Sequence, residues 1–280
     1  MVRRNSTQGK KVALITGASS GIGEATAREL LRAGFIVYGS ARRVDKMESL
    51  KKLGLIPIEM DVTNEDQIVA GIRRIEDAHG GVDVLVNNAG YGSYGAIEDV
   101  PLEEARRQFE VNIFGLARLT QLVLPHMRKN RYGKIVNISS MGGKVYTPFG
   151  GWYHATKHAL EGFSDCLRLE TSQFGIDVIV IEPGGIATPW GAIAAENLKK
   201  TSAKGAYAAA ANRTADGMAR MYQSTRLSKP TLIARSIRKA VTARKPRTRY
   251  AVGMGAKPSI FMRKIVSDRT FDRLISRMGG

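Results

Sequence analysis

The chain has 280 residues, 43% of them hydrophobic, and carries 43 Lys and Arg against 25 Asp and Glu, for a formal net charge of +18. That length accommodates one large α/β domain with a substantial core, and the composition is that of a globular protein, not a fibrous or disordered one. A single cysteine, Cys166, excludes an internal disulfide and suits a reducing compartment, and no run approaches the ~18 uninterrupted apolar residues of a membrane span.

Residues 1–10 are basic in part but contain no apolar run, so they read as an N-terminal tail and not as a signal peptide; a cytoplasmic protein is expected. Val12–Thr16 is a short apolar run that ends in Gly17-Ala18-Ser19-Ser20-Gly21-Ile22-Gly23. A helical pattern follows through Ala25, Ala27, Leu30 and Leu31 to a stop at Gly34, and Phe35–Ser40 reads as a second strand. Strand, glycine turn, helix and strand make a βαβ unit. Further apolar runs at Ile56–Met60, Val82–Val86, Lys134–Ile138 and Val178–Ile181 alternate with helical stretches around Glu103–Leu124 and Tyr153–Thr171. Short strands buried on both faces and alternating with helices predict a single α/β domain built on a doubly wound parallel sheet. Cys166 falls within a helical pattern and is expected as a small buried residue.

The rhythm changes after Pro189-Trp190. Residues 191–225 are rich in Ala, Lys and Thr and read as weakly amphipathic helix, Leu232–Val241 as another helix, and Arg249–Gly253 as an edge strand. From Pro258 onward, Ile260, Phe261, Ile265, Phe271, Leu274, Ile275 and Met278 recur at roughly helical spacing among basic residues. The charge is concentrated here: Lys199–Gly280 holds 20 basic residues against Asp216, Asp268 and Asp272, leaving the first 198 residues near neutrality.

Two stretches carry chemistry. Gly17, Gly21 and Gly23 lie between the first strand and its helix, where small residues let a pyrophosphate approach the free amides at the helix N-terminus. Their spacing differs from the common Gly-x-Gly-x-x-Gly fingerprint, and the βαβ context is what supports nucleotide binding. At the end of the second strand an acid would bind a ribose 2′-hydroxyl, whereas arginine accommodates a 2′-phosphate. The sequence supplies Arg42 and Arg43 there, which favours NADP(H) over NAD(H), with Arg42 the first candidate. Further on, Tyr153 and Lys157 are four residues apart and share a helix face. An ammonium beside a phenol favours the phenolate, so the pair is a candidate general acid/base.

With these features in order along the chain, the sequence resembles the short-chain dehydrogenase/reductase family through Thr188, about two-thirds of its length. Thr16-Gly17-Ala18-Ser19-Ser20-Gly21-Ile22-Gly23 is similar to the family's cofactor turn, Asp61-Val62-Thr63 to its adenine-contacting segment, and Asn87-Asn88-Ala89-Gly90 to its fourth-strand motif. Asn112 sits in the family's helix context. Ser140 precedes Tyr153 by 13 residues, the family's usual separation, which favours Ser140 over Ser139. Tyr153-(three residues)-Lys157 matches the signature pair, and Pro183-Gly184-Gly185-Ile186-Ala187-Thr188 the loop at the nicotinamide.

The resemblance implies a Rossmann-type core over residues 11–189 and a helical, substrate-covering extension of the same domain over 190–280. It implies Asn112, Ser140, Tyr153 and Lys157 as the catalytic set. Ser140 would orient a carbonyl, Tyr153 transfer its proton, Lys157 also hold the nicotinamide ribose, and Asn112 support a water chain. Cofactor contacts are implied at Gly17, Ser19, Ser20, Gly21, Ile22, Gly23, Arg42, Arg43, Asp61, Val62, Asn88, Ala89, Gly90, Tyr153, Lys157, Pro183, Gly184, Ile186 and Thr188. No metal is required, and His79, His126, His154 and His158 form no ligand pattern.

Gly142, Tyr146, Phe149 and Trp190, with Ser140 and Tyr153, offer a largely apolar substrate surface, so a lipophilic carbonyl or alcohol is expected; the overall arrangement, including the Asp165–Glu170 helix, resembles steroid- and retinol-type dehydrogenases more than sugar or acyl-carrier reductases. An acyl-thioester reductase and a non-enzymatic NADP-binding regulator are the rival readings; the complete catalytic set argues against the regulator. A homodimer or homotetramer is expected. The basic C-terminal third reads first as a solvated surface over a core-packing tail, second as an anionic-membrane contact through residues 258–278, and third as a handle for an anionic substrate or polyanion. Nucleic acid is not expected, since no groove-reading or stacking pattern is present.

Overall fold

The computed structural model describes residues 9–278, so residues 1–8 of the expected tail lie outside the described residues. Among these, β1 (Val12–Thr16), β2 (Ile36–Ala41), β3 (Ile56–Glu59), β4 (Val84–Asn87), β5 (Gly133–Ile138), β6 (Ile176–Pro183) and β7 (Arg249–Val252) form one sheet in the order β3-β2-β1-β4-β5-β6-β7. Every neighbouring pair is parallel. Parallel neighbours need crossovers, which here are α1 (Gly21–Arg32), α2 (Glu48–Lys51), α3 (Glu65–His79), α4 (Leu102–Phe109), α5 (Gly115–Lys129), α6 (Gly151–Thr171), α7 (Trp190–Ser202), α8 (Ala208–Gln223) and α9 (Pro230–Thr242). After β7 the chain ends in α10 (Ala256–Ile265) and α11 (Asp268–Met278).

The strand period of two divides the apolar residues between two cores. Ala13 and Ile15 of β1 face α1 and α9 with Leu30, Ile233 and Ile237, whereas Val12 and Leu14 face α3, α5 and α6 with Ile72, Leu119 and Leu167. All five residues of β1 are buried, which explains why its sequence shows a continuous apolar run and no alternation. Asn64 starts α3 by accepting a hydrogen bond from the Gln67 amide, and Gly80, at φ +80°, ends it. The strand order reverses between β1 and β4, which opens a crevice at their carboxyl ends where such sheets bind ligands.

The stretch expected as one helix around Glu103–Leu124 is α4 and α5 joined by a π-helical turn, Glu110–Phe114, that contains Asn112. Side-chain periodicity does not register one extra residue per turn. Gly115 follows because a Cβ there would come 2.2 Å from the Val62 carbonyl oxygen, so only glycine lets α5 approach the loop after β3. Cys166 was expected inside but is exposed, since its position on α6 faces away from the sheet.

In the C-terminal third, α7 and α8 pack through Ala194, Leu198, Ala211 and Ala215, all fully buried. The tail over 258–278 is two helices, not one. It breaks at Val266-Ser267, and α11 turns its apolar side inward: Phe271 is fully buried, while Phe261 and Ile265 of α10 point outward. Arg249 of β7 anchors this region to α6. Its guanidinium donates to Glu161 at 3.0 Å and Asp165 at 2.7 Å and lies 3.5 Å from Glu182, while Lys144 reaches Glu161 at 2.9 Å. Glu161 and Glu182 are both buried. Among the described residues no helix is long and apolar enough to cross a membrane.

Candidate active site

One cleft of about 1300 Å³ runs along the carboxyl ends of the strands, from Arg42 and Arg43 after β2, past the glycine turn, to Tyr153 and on to α8 and the tail. The turn is rigid for local reasons. Gly17 and Gly21 take φ values of +65° and +58°, a region that disfavours side chains. Asn88 at the end of β4 donates its side-chain amide to the carbonyls of Thr16 (2.9 Å) and Gly17 (3.2 Å). The Thr16 hydroxyl in return accepts from the backbone amides of Asn88 and Ala89 at 3.0 and 2.9 Å. β1 and β4 thus clamp the turn between them and leave the first amides of α1 facing the cleft.

Of the residues expected to touch a cofactor, Gly17, Ser19, Ser20, Gly21, Ile22, Arg42, Arg43, Asp61, Val62, Asn88, Ala89, Gly90, Tyr153, Lys157, Pro183, Gly184, Ile186 and Thr188 line the cleft. Gly23 does not. A Cβ there would lie 2.3 Å from the Gly17 carbonyl oxygen, so Gly23 serves the close seating of α1 on the turn. Arg42 and Arg43 are exposed and have no carboxylate partner among the described residues.

At the other end, α6 presents Tyr153 and Lys157, both buried, one turn apart. Burial pushes the Tyr153 phenol up to about 12, and a hydrogen bond with Ser140 pulls the other way. Burial lowers Lys157 to about 8, opposed by the charge of Glu161. The expectation that Lys157 would depress Tyr153 is not met in this arrangement. Its ammonium donates to the Ile138 carbonyl at 2.8 Å and lies 5.9 Å from the centre of the Tyr153 ring, so burial dominates. Ser140 follows β5 and accepts a hydrogen bond from the Gly142 amide at 3.0 Å, whereas the Ser139 hydroxyl is buried beside Gly143 and has no hydrogen-bond partner among the described residues.

Asn112 is buried and does not line the cleft. It accepts from the Tyr91 amide at 3.1 Å and donates to the Tyr91 carbonyl at 2.9 Å and the Thr156 hydroxyl at 3.1 Å, tying the segment after β4 to α6. His154 bridges the Gly142 carbonyl and the Thr147 amide, and burial lowers its pKa, so it acts as a neutral brace for the loop that carries Ser140.

Gly142, Phe149 and Trp190 line the cleft as expected, but Tyr146 does not. Its ring packs edge-on to Phe271 at 5.0 Å and its hydroxyl donates to Asp272, which turns it toward α11. Tyr94, Tyr222 and one side of α8 join this wall and were not anticipated. Trp190 lies across Gly92, 5.2 Å from the Tyr153 ring and 5.8 Å from Tyr94, and Tyr222 stands 6.2 Å beyond it. The helical spacing of Arg213, Gly217, Arg220 and Met221 on α8 marks the cleft-facing side and is legible only once α7 and α8 are known to pair.

Residues 11–199 match the short chain dehydrogenase family. A probable short-chain type dehydrogenase/reductase, VdlC of Helicobacter pylori, is 35% identical over 94% of this chain and 96% of its own. An NADPH-dependent 3-dehydrocapnine reductase of Ornithobacterium rhinotracheale is 33% identical over 94% of this chain and 95% of its own. The crystal structure of a short-chain dehydrogenase from Streptomyces avermitilis superposes with a TM-score of 0.80 at 34% identity, covering 96% of this chain and 98% of that one. The chain belongs to the short-chain dehydrogenase/reductase family of nicotinamide-dependent oxidoreductases.

Proposed function

We propose that the protein is an NADP(H)-dependent reductase of lipophilic ketones or aldehydes, running the reverse alcohol oxidation by the same groups. The observation that carries this reading is one cleft with Arg42 and Arg43, without a carboxylate partner among the described residues, at one end and Ser140, Tyr153 and Lys157 at the other.

The residues present fit a dinucleotide. Gly17 and Gly21, at φ +65° and +58° and packed closely on Asn88, Ala89 and Thr188, let the turn close tightly over the first turn of α1, whose free amides suit a pyrophosphate. Arg42, with Arg43 beside it, would meet a 2′-phosphate, and Lys157 the nicotinamide ribose. When bound in reduced form, the cofactor supplies the hydride that reaches the carbonyl carbon.

The chain's own groups act on the oxygen. Ser140 donates a hydrogen bond to it, and Tyr153, protonated at neutral pH like any phenol and held so more firmly by burial, delivers the proton that completes the alcohol. Lys157, one turn on, holds a positive charge near the phenolate left behind. Asn112 positions Thr156 and the Tyr91 backbone. Trp190, Phe149 and Tyr94 exclude water and favour an apolar substrate. The NADPH dependence and reductase activity named for the Ornithobacterium relative support the cofactor and the direction.

The test is NADPH against NADH oxidation, followed by absorbance, with ketosteroids, retinal, aromatic aldehydes, long-chain ketones and acetoacetyl thioesters. Turnover of a lipophilic carbonyl with NADPH preferred is expected. Tyr153→Phe should lower kcat at least 10²-fold, in the range set by loss of a general acid, with NADPH affinity within about twofold of the parent. Near-normal turnover by the Phe variant would remove Tyr153 from the chemistry.

A further inference from the structure

The cationic residues of the C-terminal third are not equivalent. Lys199, Arg238, Arg249 and Arg263 each hold a carboxylate. Many of the others point to open solvent. Arg213 and Arg220 differ from both groups: they line the cleft, are exposed, and have no carboxylate partner among the described residues. Seven residues apart on α8, they share one face about 10 Å apart along the axis. Between them sits Gly217, and Nη2 of Arg220 folds back to within 4.0 Å of where a Gly217 Cβ would stand. The two guanidiniums therefore flank Gly217, which has no side chain of its own.

The surroundings supply the contrast. Leaving Tyr153, the wall passes Trp190, Tyr222, Met218, Met221 and Ile193, all apolar or aromatic. The carboxylates that line the cleft, Asp61 and Glu104, belong to the opposite end, and Glu104 is engaged by the Tyr91 hydroxyl at 3.0 Å. The substrate end thus combines an apolar channel with two guanidiniums at its rim that form no ion pair among the described residues; the nearby Asp216 feels the Arg220 charge but holds Lys199 at 2.6 Å. An anion there has charge-assisted donors waiting for it, and a neutral ligand leaves them to water.

We propose that the substrate is an amphiphile, with a carbonyl at Tyr153, an apolar body along the α7–α8 wall, and a carboxylate or phosphate bound by Arg213 and Arg220. This deepens the reading of the same cleft and rests on it for the position of the carbonyl. The anion is either the amphiphile's own head or the phosphate of a coenzyme A thioester.

Calorimetric titration of the full-length protein with dodecanoate, dodecyl phosphate and dodecanol, with and without NADP+, tests the anion site without turnover. The two anions should bind about tenfold more tightly than the alcohol. Arg213→Gln with Arg220→Gln should erase that preference while dodecanol and NADPH affinities stay within about twofold; Arg→Lys at both positions should retain most of it. Equal binding of acid and alcohol by the parent protein overturns the proposal. So does a preference that survives in the Gln variant, or a Gln variant that loses NADPH affinity instead. Displacement of dodecyl phosphate by coenzyme A assigns the phosphate to a thioester, and its absence assigns the anion to a free amphiphile. Selective anion binding in a protein that reduces no ketone or aldehyde would sink the carbonyl-reductase reading and leave the anion site standing; ketone turnover with no anion preference would do the opposite.

Discussion

The two ends of the cleft are built on different principles. The cofactor end is made of backbone: a glycine turn, the amides of α1, and strand ends latched by Asn88 and Thr16. The substrate end is made of side chains on α7, α8, α10 and α11, packed by interlocking rings and small residues. Backbone approach demands particular residue types at fixed offsets, because a single Cβ collides. Side-chain walls tolerate exchange provided volume and polarity are kept. The first kind of site holds still while the second can be re-cut for a new substrate.

A methyl group placed at each end gives the largest contrast. Gly23→Ala puts a Cβ 2.3 Å from the Gly17 carbonyl oxygen and 2.6 Å from the Asn88 amide nitrogen, so the turn must move. We expect loss of NADPH affinity by more than about 100-fold, on the order of 3 kcal/mol. Gly217→Ala meets nothing closer than the flexible end of Arg220 and should stabilise α8 by up to about 1 kcal/mol. Isothermal titration and thermal melting read the pair, and equal losses in both variants would end the distinction.

Phe271→Ala sharpens it from the other side. The ring is fully buried against Tyr146, and its removal should cost about 3 kcal/mol, read as faster hydrogen exchange in α11 and weaker substrate binding. NADPH affinity should stay within about twofold; a matching loss there would show the two ends to be one cooperative unit.

The smallest effect is in pH. Lys157 titrates near 8, below its ordinary value, so it is charged below that pH and neutral above it. If its charge supports proton delivery, kcat/KM for reduction should fall about tenfold between pH 7 and pH 9. Lys157→Met should be slow throughout and lack that limb; a flat parent profile would show that the charge is not used. Tyr153, held near 12, adds no limb in this range.

The same contrast explains what the sequence discloses. The βαβ unit, the parallel sheet, the glycine turn and the Tyr153–Lys157 pair are all legible, because strand burial and backbone clearance restrict residue choice at short range. Tyr146 was misplaced because its nearness to Ser140 in sequence does not settle which way a loop turns, and its partners Phe271 and Asp272 lie far down the chain. Cys166 was misjudged because a helical pattern in a mixed stretch leaves its phase open. The π turn at Asn112 and the break before α11 escaped for a related reason: apolar periodicity averages over a turn and passes smoothly across one added or missing residue. Arg213 and Arg220 were hidden among many like charges, and only the pairing of α7 with α8 separates them from the solvated ones.

Arg249 has a consequence for recombining this enzyme with its relatives. It reaches from the last strand to Glu161 and Asp165 on the helix that carries Tyr153, and stands beside Glu182 on β6. A chimaera that replaces everything after β6 without restoring a cation at this point would take Arg249 from buried Glu182 and leave buried Glu161, one turn after Lys157, with Lys144 alone. The unit that can be exchanged between homologues is therefore the α7–α8 insert, whose borders fall at Pro189 and Lys229, with the final strand kept in place as the keystone of the graft.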